Sequence, residues 1–129
     1  MARLVLDASV LIAYFSPIDP RHARAVALLQ RTASDERIVI ASVLAELLVH
    51  PYRMGRDAVG QVEAALAALP TVIEPIDAEL ARRAAELRAV HARLRLGDAL
   101  VIAAGEVLGA QVVTVDVSWS RISGRVRQL

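Results

Sequence analysis

The chain has 129 residues, and its 15 basic and 14 acidic side chains leave a formal net charge of +1, too even a balance to signal nucleic-acid binding by bulk electrostatics. Hydrophobic residues make up 56% and aromatics only 3%, so the core is aliphatic, and the length suits one domain over residues 1–129. With no cysteine, disulfides, zinc ribbons and thiol nucleophiles are all excluded; the lack is compatible with a reducing cytoplasm, where the protein is expected to reside.

In chain order, Leu4 to Leu6 reads as a short buried strand ended by Asp7. The apolar residues Ala8 to Phe15 suggest a helix closed by Ser16-Pro17. Asp7 interrupts the N-terminal apolar stretch, so a secretory leader is not expected, and no apolar run approaches the ~18 residues of a membrane span. Asp19-Pro20 should open the next helix, with Asp as the cap and Pro at the first helical position. Arg37 to Ala41 is a second strand. Ser42 would cap a helix running towards His50-Pro51, followed by a break at Tyr52 to Arg56. Asp57 to Leu69 is helical and stopped by Pro70. Thr71 to Ile76 is at most an edge strand, because Pro75 cannot donate to a sheet. Asp77 to about Arg93 and Asp98 to Leu108 are helices, the second ending on Gly109. Gln111 to Val115 is a strand, and Val126 to Leu129 offers a last edge strand. Strands alternate with helices and none sits at hairpin spacing. This pattern predicts an α/β fold, a mainly parallel central sheet flanked by helices on both faces.

Ligands of open α/β sheets bind beyond the carboxyl ends of the strands. Asp7 and Asp116 each follow a strand, and Glu46 lies one turn into the helix after the second strand. Asp98 begins the helix leading into the late strand, and spacing alone does not place it near the others. Each acid also has a plain structural use: Asp7 and Asp98 as helix caps, Glu46 as a solvated helix residue, Asp116 as a turn residue. Their neighbours weigh against that. Asp7 precedes Ala8-Ser9-Val10-Leu11-Ile12, Glu46 precedes Leu47-Leu48-Val49, and Asp98 precedes Ala99-Leu100-Val101-Ile102. Carboxylates in such surroundings are costly unless paired, hydrogen-bonded or metal-bound.

The segments around these acids resemble the four motifs of PIN domains. Asp7-Ala8-Ser9 is similar to the opening Asp-x-Ser/Thr. Ser42 to Leu47 is similar to the second motif, centred on Glu46. Leu96-Gly97-Asp98-Ala99 and the apolar run after it resemble the third, and Val113-Thr114-Val115-Asp116-Val117-Ser118-Trp119 the fourth, Thr-x-Asp-x-x-Phe. The order and spacing hold over nearly the whole chain, and its length is similar to that of VapC toxins of bacterial toxin–antitoxin pairs.

The resemblance implies a PIN fold, Mg²⁺- or Mn²⁺-dependent endoribonuclease activity on an RNA substrate, a cognate antitoxin and a homodimer. It implies that Asp7, Glu46, Asp98 and Asp116 are catalytic and hold the metal, with Ser9 and Thr114 supporting them. Two departures stand out: many relatives carry a further acidic or polar group after the fourth acid, where this chain has Val117-Ser118, and Trp119 replaces the usual Phe. The alternative is a catalytically degenerate PIN-like binding scaffold, against which retention of all four acids argues.

The remaining candidates are less specific. Arg93 and Arg95, just before Asp98, are possible RNA-binding residues, with solvated helix-end arginines as the competing reading. His22, His50 and His91 form no ligand pair and read as structural or solvent-facing, and Trp119 reads as a packed residue. Helices Arg21 to Arg31 and Asp57 to Leu69 carry wide Ala/Leu/Val faces, the expected dimer and antitoxin surfaces. The absence of Lys weighs against a phosphotransfer receiver. The lack of Asp-x-Asp at Asp7 and of a Gly-rich turn after the first strand weigh against a haloacid dehalogenase-like phosphatase and a dinucleotide-binding module.

Overall fold

The computed structural model describes residues 2–129. Five strands form one wholly parallel sheet: β1 (Arg3–Leu6), β2 (Glu36–Ile40), β3 (Thr71–Glu74), β4 (Gln111–Thr114) and β5 (Val126–Gln128), in the order β3-β2-β1-β4-β5. The inner strands are aliphatic and almost fully buried, as a parallel sheet covered on both faces requires. Six helices connect and cover them: α1 (Ala8–Phe15), α2 (His22–Arg31), α3 (Ala41–Met54), α4 (Arg56–Ala68), α5 (Ala78–Val90) and α6 (Leu96–Leu108). A single 3₁₀ turn, Trp119–Arg121, lies between β4 and β5.

The topology fixes where a ligand site belongs. The chain travels outward from β1 through β2 to β3, then returns across the sheet to β4 on the other side of β1. With right-handed crossovers, that reversal puts the earlier helices on one face and α5 and α6 on the other. It also leaves a crevice between the carboxyl ends of β1 and β4, where neighbouring chain segments leave in opposite directions. Leu6 of β1 is in register with Val113 of β4, so Asp7 and Thr114 emerge side by side at that crevice.

Several helix ends differ from those expected. Helix α2 starts at His22 rather than after Asp19; Asp19 instead accepts the Arg21 N–H in a preceding turn, at 2.8 Å. Helix α3 starts at Ala41 with Ile40 in the cap position, so Ser42 lies inside its first turn with a buried hydroxyl that finds no partner among the described residues. The helix also continues through Pro51 to Met54. Pro51 removes one N–H near the helix end, is itself buried, and its carbonyl accepts from Gly55 at 3.0 Å. The break falls on Gly55 alone, whose φ of 122° suits glycine. Helix α5 stops at Val90, because His91 to Leu94 form a tight turn. Helix α6 starts two residues early, capped by extended Arg95, so Asp98 is a first-turn residue rather than the cap.

The wide apolar faces expected on α2 and α4 are largely consumed by the core or consist of alanine: α2 buries Ala25, Leu28 and Leu29, and α4 buries Val59 and Leu66. The exposed larger apolar side chains lie elsewhere, including Val49, Tyr52 and Met54 on α3 and Val72 and Ile73 on the edge strand β3. No helix among the described residues is long and apolar enough to cross a membrane.

Candidate active site

Asp7 is the anchor of the crevice. It is buried and follows β1 in an extended conformation, so its side chain turns back onto the start of α1. One carboxylate oxygen, Oδ1, accepts the Ala8 N–H at 2.8 Å, which is the capping role open to any aspartate in this place. The other, Oδ2, accepts two hydroxyls: Ser9 Oγ at 2.6 Å and Thr114 Oγ1 at 2.9 Å. Each hydroxyl is itself fixed by the β4 exit, since Ser9 Oγ accepts from the Val115 N–H at 3.3 Å and Thr114 Oγ1 from the Asp116 N–H at 3.1 Å. Two side chains 105 positions apart in sequence thus tie one carboxylate to the segment that carries another.

Asp116 is held in the turn after β4. Its Oδ1 accepts both the Ser118 hydroxyl at 2.6 Å and the Ser118 N–H at 2.8 Å. These two bonds, the hydroxyl first, hold its carboxyl below the usual value, as expected for donors that favour the charged form. Ser118 is therefore a supporting residue missed by sequence reasoning, which noted the position only for lacking an acid. The signal was the Asp116-x-Ser118 spacing, since an aspartate side chain readily bonds the backbone two residues on and a serine there adds a hydroxyl donor.

Glu46 reaches the crevice from α3 and Asp98 from the first turn of α6. Both carboxyls are pushed above their usual values. For Glu46 the main cause is desolvation, followed by the charges of Asp7 and Asp98; Arg95 opposes the shift. For Asp98 the main cause is again desolvation, followed by the charge of Asp7; Arg95 opposes and Asp116 adds. Arg95 provides only a long ion pair, its Nε 3.9 Å from Asp98 Oδ2, and its side chain is 90% exposed. Gly97, beside Asp98, was not singled out from sequence. It packs against the Glu46 carboxylate so closely that a Cβ would come within 2.8 Å of Oε1.

All four acids line one cavity of about 280 Å³, together with Ser9 and Arg95. Thr114 lies behind it, fully buried. A larger cavity of about 470 Å³ adjoins, sharing Arg95, Asp98, Asp116 and Trp119 and including Arg93 and His91. Trp119 is packed at 2% exposure, in keeping with its expected structural role. His22 is structural, its Nδ1 2.9 Å from the Ala13 carbonyl, and His50 is exposed.

The donor set is suited to a hard divalent cation. It offers only oxygen, and two of its carboxyls, Glu46 and Asp98, are destabilised as anions by burial and by neighbouring carboxylates, which a cation would relieve. Among the described residues, no three His, Asp or Glu side chains are gathered tightly enough to clasp one ion unaided.

Comparison with known proteins agrees with this architecture. The family model described as PIN domain matches residues 4–125. A toxin–antitoxin complex from Klebsiella pneumoniae superposes with a TM-score of 0.80 at 19% identity, covering 96% of this chain and 95% of that one. VapC20 of Mycobacterium tuberculosis, described as a sarcin-ricin loop cleaving toxin, gives 0.70 at 22% identity, covering 92% and 93%. DNA-bound VapBC from Salmonella typhimurium gives 0.74 at 19% identity, covering 99% and 98%. No curated protein sequence matches.

Proposed function

Because the chain belongs to the PIN-domain family, we propose that it is a metal-dependent endoribonuclease acting as the toxin of a toxin–antitoxin pair, with residues 1–129 forming one PIN-like domain. The observation that carries this reading is the convergence of Asp7, Glu46, Asp98 and Asp116 on one cavity at the carboxyl edge of the sheet, with the buried Asp7 fixed by Ser9 and Thr114.

Asp7, Asp98 and Asp116 would hold Mg²⁺ or Mn²⁺ directly or through water, and Glu46 would hold metal or orient the attacking water. A bound divalent ion lowers the pKa of water and neutralises charge on a phosphoryl transition state. The protein's own share is positional. Asp7 cannot rotate, because both oxygens are engaged by donors from α1 and β4. Asp116 is held ionised by Ser118. Glu46, like Asp98, has its proton affinity raised, and it lies on α3 without a short hydrogen bond to its carboxylate among the described residues, which suits a group that accepts a proton from water. Attack by water, without use of the 2′-hydroxyl, leaves 5′-phosphate and 3′-hydroxyl ends.

The antitoxin follows by analogy with the toxin–antitoxin complexes that share the fold. The homodimer is supported by the exposed apolar side chains of α3 and β3, and a monomer by light scattering would remove it. A cytoplasmic location fits the lack of cysteine. The central test is cleavage of single-stranded RNA by the purified protein. Cleavage in Mg²⁺ should yield 5′-phosphate ends, and should vanish in EDTA and in Asp98→Asn. Full activity in EDTA overturns the metal reading, and a protein that binds RNA without cutting it is the scaffold instead.

A further inference from the structure

The larger cavity beside the acids has the make-up of a subsite for one nucleotide. Its deep side is apolar: Leu94 and Trp119 are buried and Ile122 is half-buried. Its rim is cationic or polar: Arg93 and Arg95 are exposed and His91 is half-buried. The volume, about 470 Å³, lies in the range of small-ligand pockets, roughly 300–1,000 Å³. It opens directly onto the carboxylates, because Asp98 and Asp116 belong to both cavities.

The rim is built rather than trailing. The segment after α5 is closed by Leu94 N–H on the His91 carbonyl at 3.0 Å, and Arg88 Nε donates to the Leu94 carbonyl at 2.8 Å. The opposite wall is pinned by the Ser118 bonds to Asp116 and by the 3₁₀ turn carrying Trp119. Arg93 makes no ion pair and the His91 ring no hydrogen bond among the described residues, while Arg95 has only its 3.9 Å contact with Asp98. Two guanidinium groups and an imidazole are thus left facing solvent beside a negatively charged cavity, where they contribute little to folding.

We infer that this cavity holds the nucleotide next to the scissile phosphate of a single-stranded RNA, its base against the half-buried Ile122, which rests on the buried Leu94 and Trp119, and its phosphate on Arg93 and Arg95. An unstacked base needs a flat apolar or guanidinium surface, and its backbone a cation, and the two are adjacent here. His91 supplies a ring nitrogen within the same rim for a base edge or ribose hydroxyl. The inference rests on the ribonuclease reading for the choice of RNA, but the cavity can be tested separately.

The experiment follows backbone amide shifts of Leu94, Ser118 and Ile122 on titration with the four nucleoside 5′-monophosphates, with inorganic phosphate as a parallel arm, with and without Mg²⁺. Nucleotides should shift these amides and inorganic phosphate should shift them less. In cleavage of a short RNA, Arg93→Ala and His91→Ala should each raise KM several-fold more than they lower kcat. Arg127→Ala, on the edge strand β5 and lining a separate cavity with Arg24 and Arg31, should leave KM unchanged. Equal shifts from phosphate alone, shifts confined to other surfaces, or an equal KM effect of Arg127→Ala would each overturn the subsite. If the amides respond to nucleotides but no RNA is cut, the nuclease reading fails and the subsite stands; if RNA is cut and the amides are silent, the reverse holds.

Discussion

The carboxylate of Glu46 occupies the space that a side chain on Gly97 would need, since a Cβ built there falls 2.8 Å from Oε1. Glycine in the first turn of α6 costs helix stability, about 0.5–1 kcal/mol relative to alanine. What it permits is the close approach of α3's acid to the residue preceding Asp98. Glu46 is exposed and its end is flexible, so Gly97→Ala should displace it without unfolding the protein. The expected result is an unchanged or slightly higher melting temperature together with a fall in cleavage of about ten- to a hundredfold, the scale of a misplaced catalytic group. In a Glu46→Gln background the same change should cost nothing further. A Gly97→Ala enzyme as active as the parent would show that the position of Glu46 is unimportant.

Asp7 and Asp98 should respond differently to removal of charge. Asp98 is a raised carboxyl with no short hydrogen bond, so Asp98→Asn relieves repulsion, and the metal-free variant should melt no lower than the parent. Asp7 accepts three donors. In Asp7→Asn, an amide NH₂ placed at Oδ2 would face two hydroxyls that already accept from Val115 and Asp116. Loss of part of that network should lower stability by about 1–3 kcal/mol. Both variants should be inactive, and denaturant unfolding separates them. An equal loss in the two would mean that the Asp7 network adds nothing to the fold.

The strand-end acids were legible because a strand's end is a local event: Leu4 to Leu6 closes on Asp7, and Val112 to Thr114 runs into the turn of Asp116. Period and motif together therefore read the parallel sheet and four acids. The meeting of Glu46 with Asp98 was not available from spacing, because it depends on how α3 and α6 lie across the carboxyl edge. Gly97 escaped notice for the same reason; its partner is 51 positions away. Helix ends were read less well where capping chemistry pointed one way and backbone geometry another. Ser42 and Asp98 are both good cap residues, yet Ile40 and Arg95 take the extended cap conformations without side-chain bonds. The apolar faces of α2 and α4 looked surplus because helical periodicity cannot tell a face met by the sheet from one left open.

The raised carboxyls also set a pH dependence. A carboxyl raised in the folded state contributes stability that is fully present below its unfolded value and is lost as pH rises through its folded value. Glu46 and Asp98 both sit above their ordinary 4.5 and 3.8, so the metal-free protein should lose their contribution as pH rises from those values through the raised folded ones. Asp116 is lowered; its contribution is present above 3.8 and lost only as pH falls through its lower folded value, so it stays ionised across this window. Relative to a Glu46→Gln/Asp98→Asn variant in EDTA, the parent should therefore melt lower at about pH 7 and converge with it as pH falls towards about 4. Saturating Mg²⁺ should close the gap at neutral pH. A melting-temperature difference that does not change with pH would remove the mutual repulsion from the account.

Ser118 supplies the last test, because it acts on the site only through Asp116. Ser118→Ala removes the 2.6 Å hydroxyl bond and keeps the backbone N–H on the same oxygen, so the turn should survive. Ser118 is exposed, and the change in stability should stay within about 0.5 kcal/mol. The hydroxyl is the largest cause holding the Asp116 carboxyl down, so its loss should let that group rise towards 3.8 and leave the carboxylate free to rotate. At neutral pH the group is ionised either way, so it is the freed rotation that weakens the metal ligand, and loss of an outer hydrogen bond commonly costs about ten- to a hundredfold in metal affinity. Since one bond to Asp116 remains, a loss of about tenfold in Mn²⁺ affinity is expected, measured by titration of the purified protein. Added Mn²⁺ should restore cleavage by Ser118→Ala, whereas it should not rescue Asp116→Ala. If Ser118→Ala bound Mn²⁺ like the parent, the serine would be only a turn residue, and Asp116 would hold its place without it.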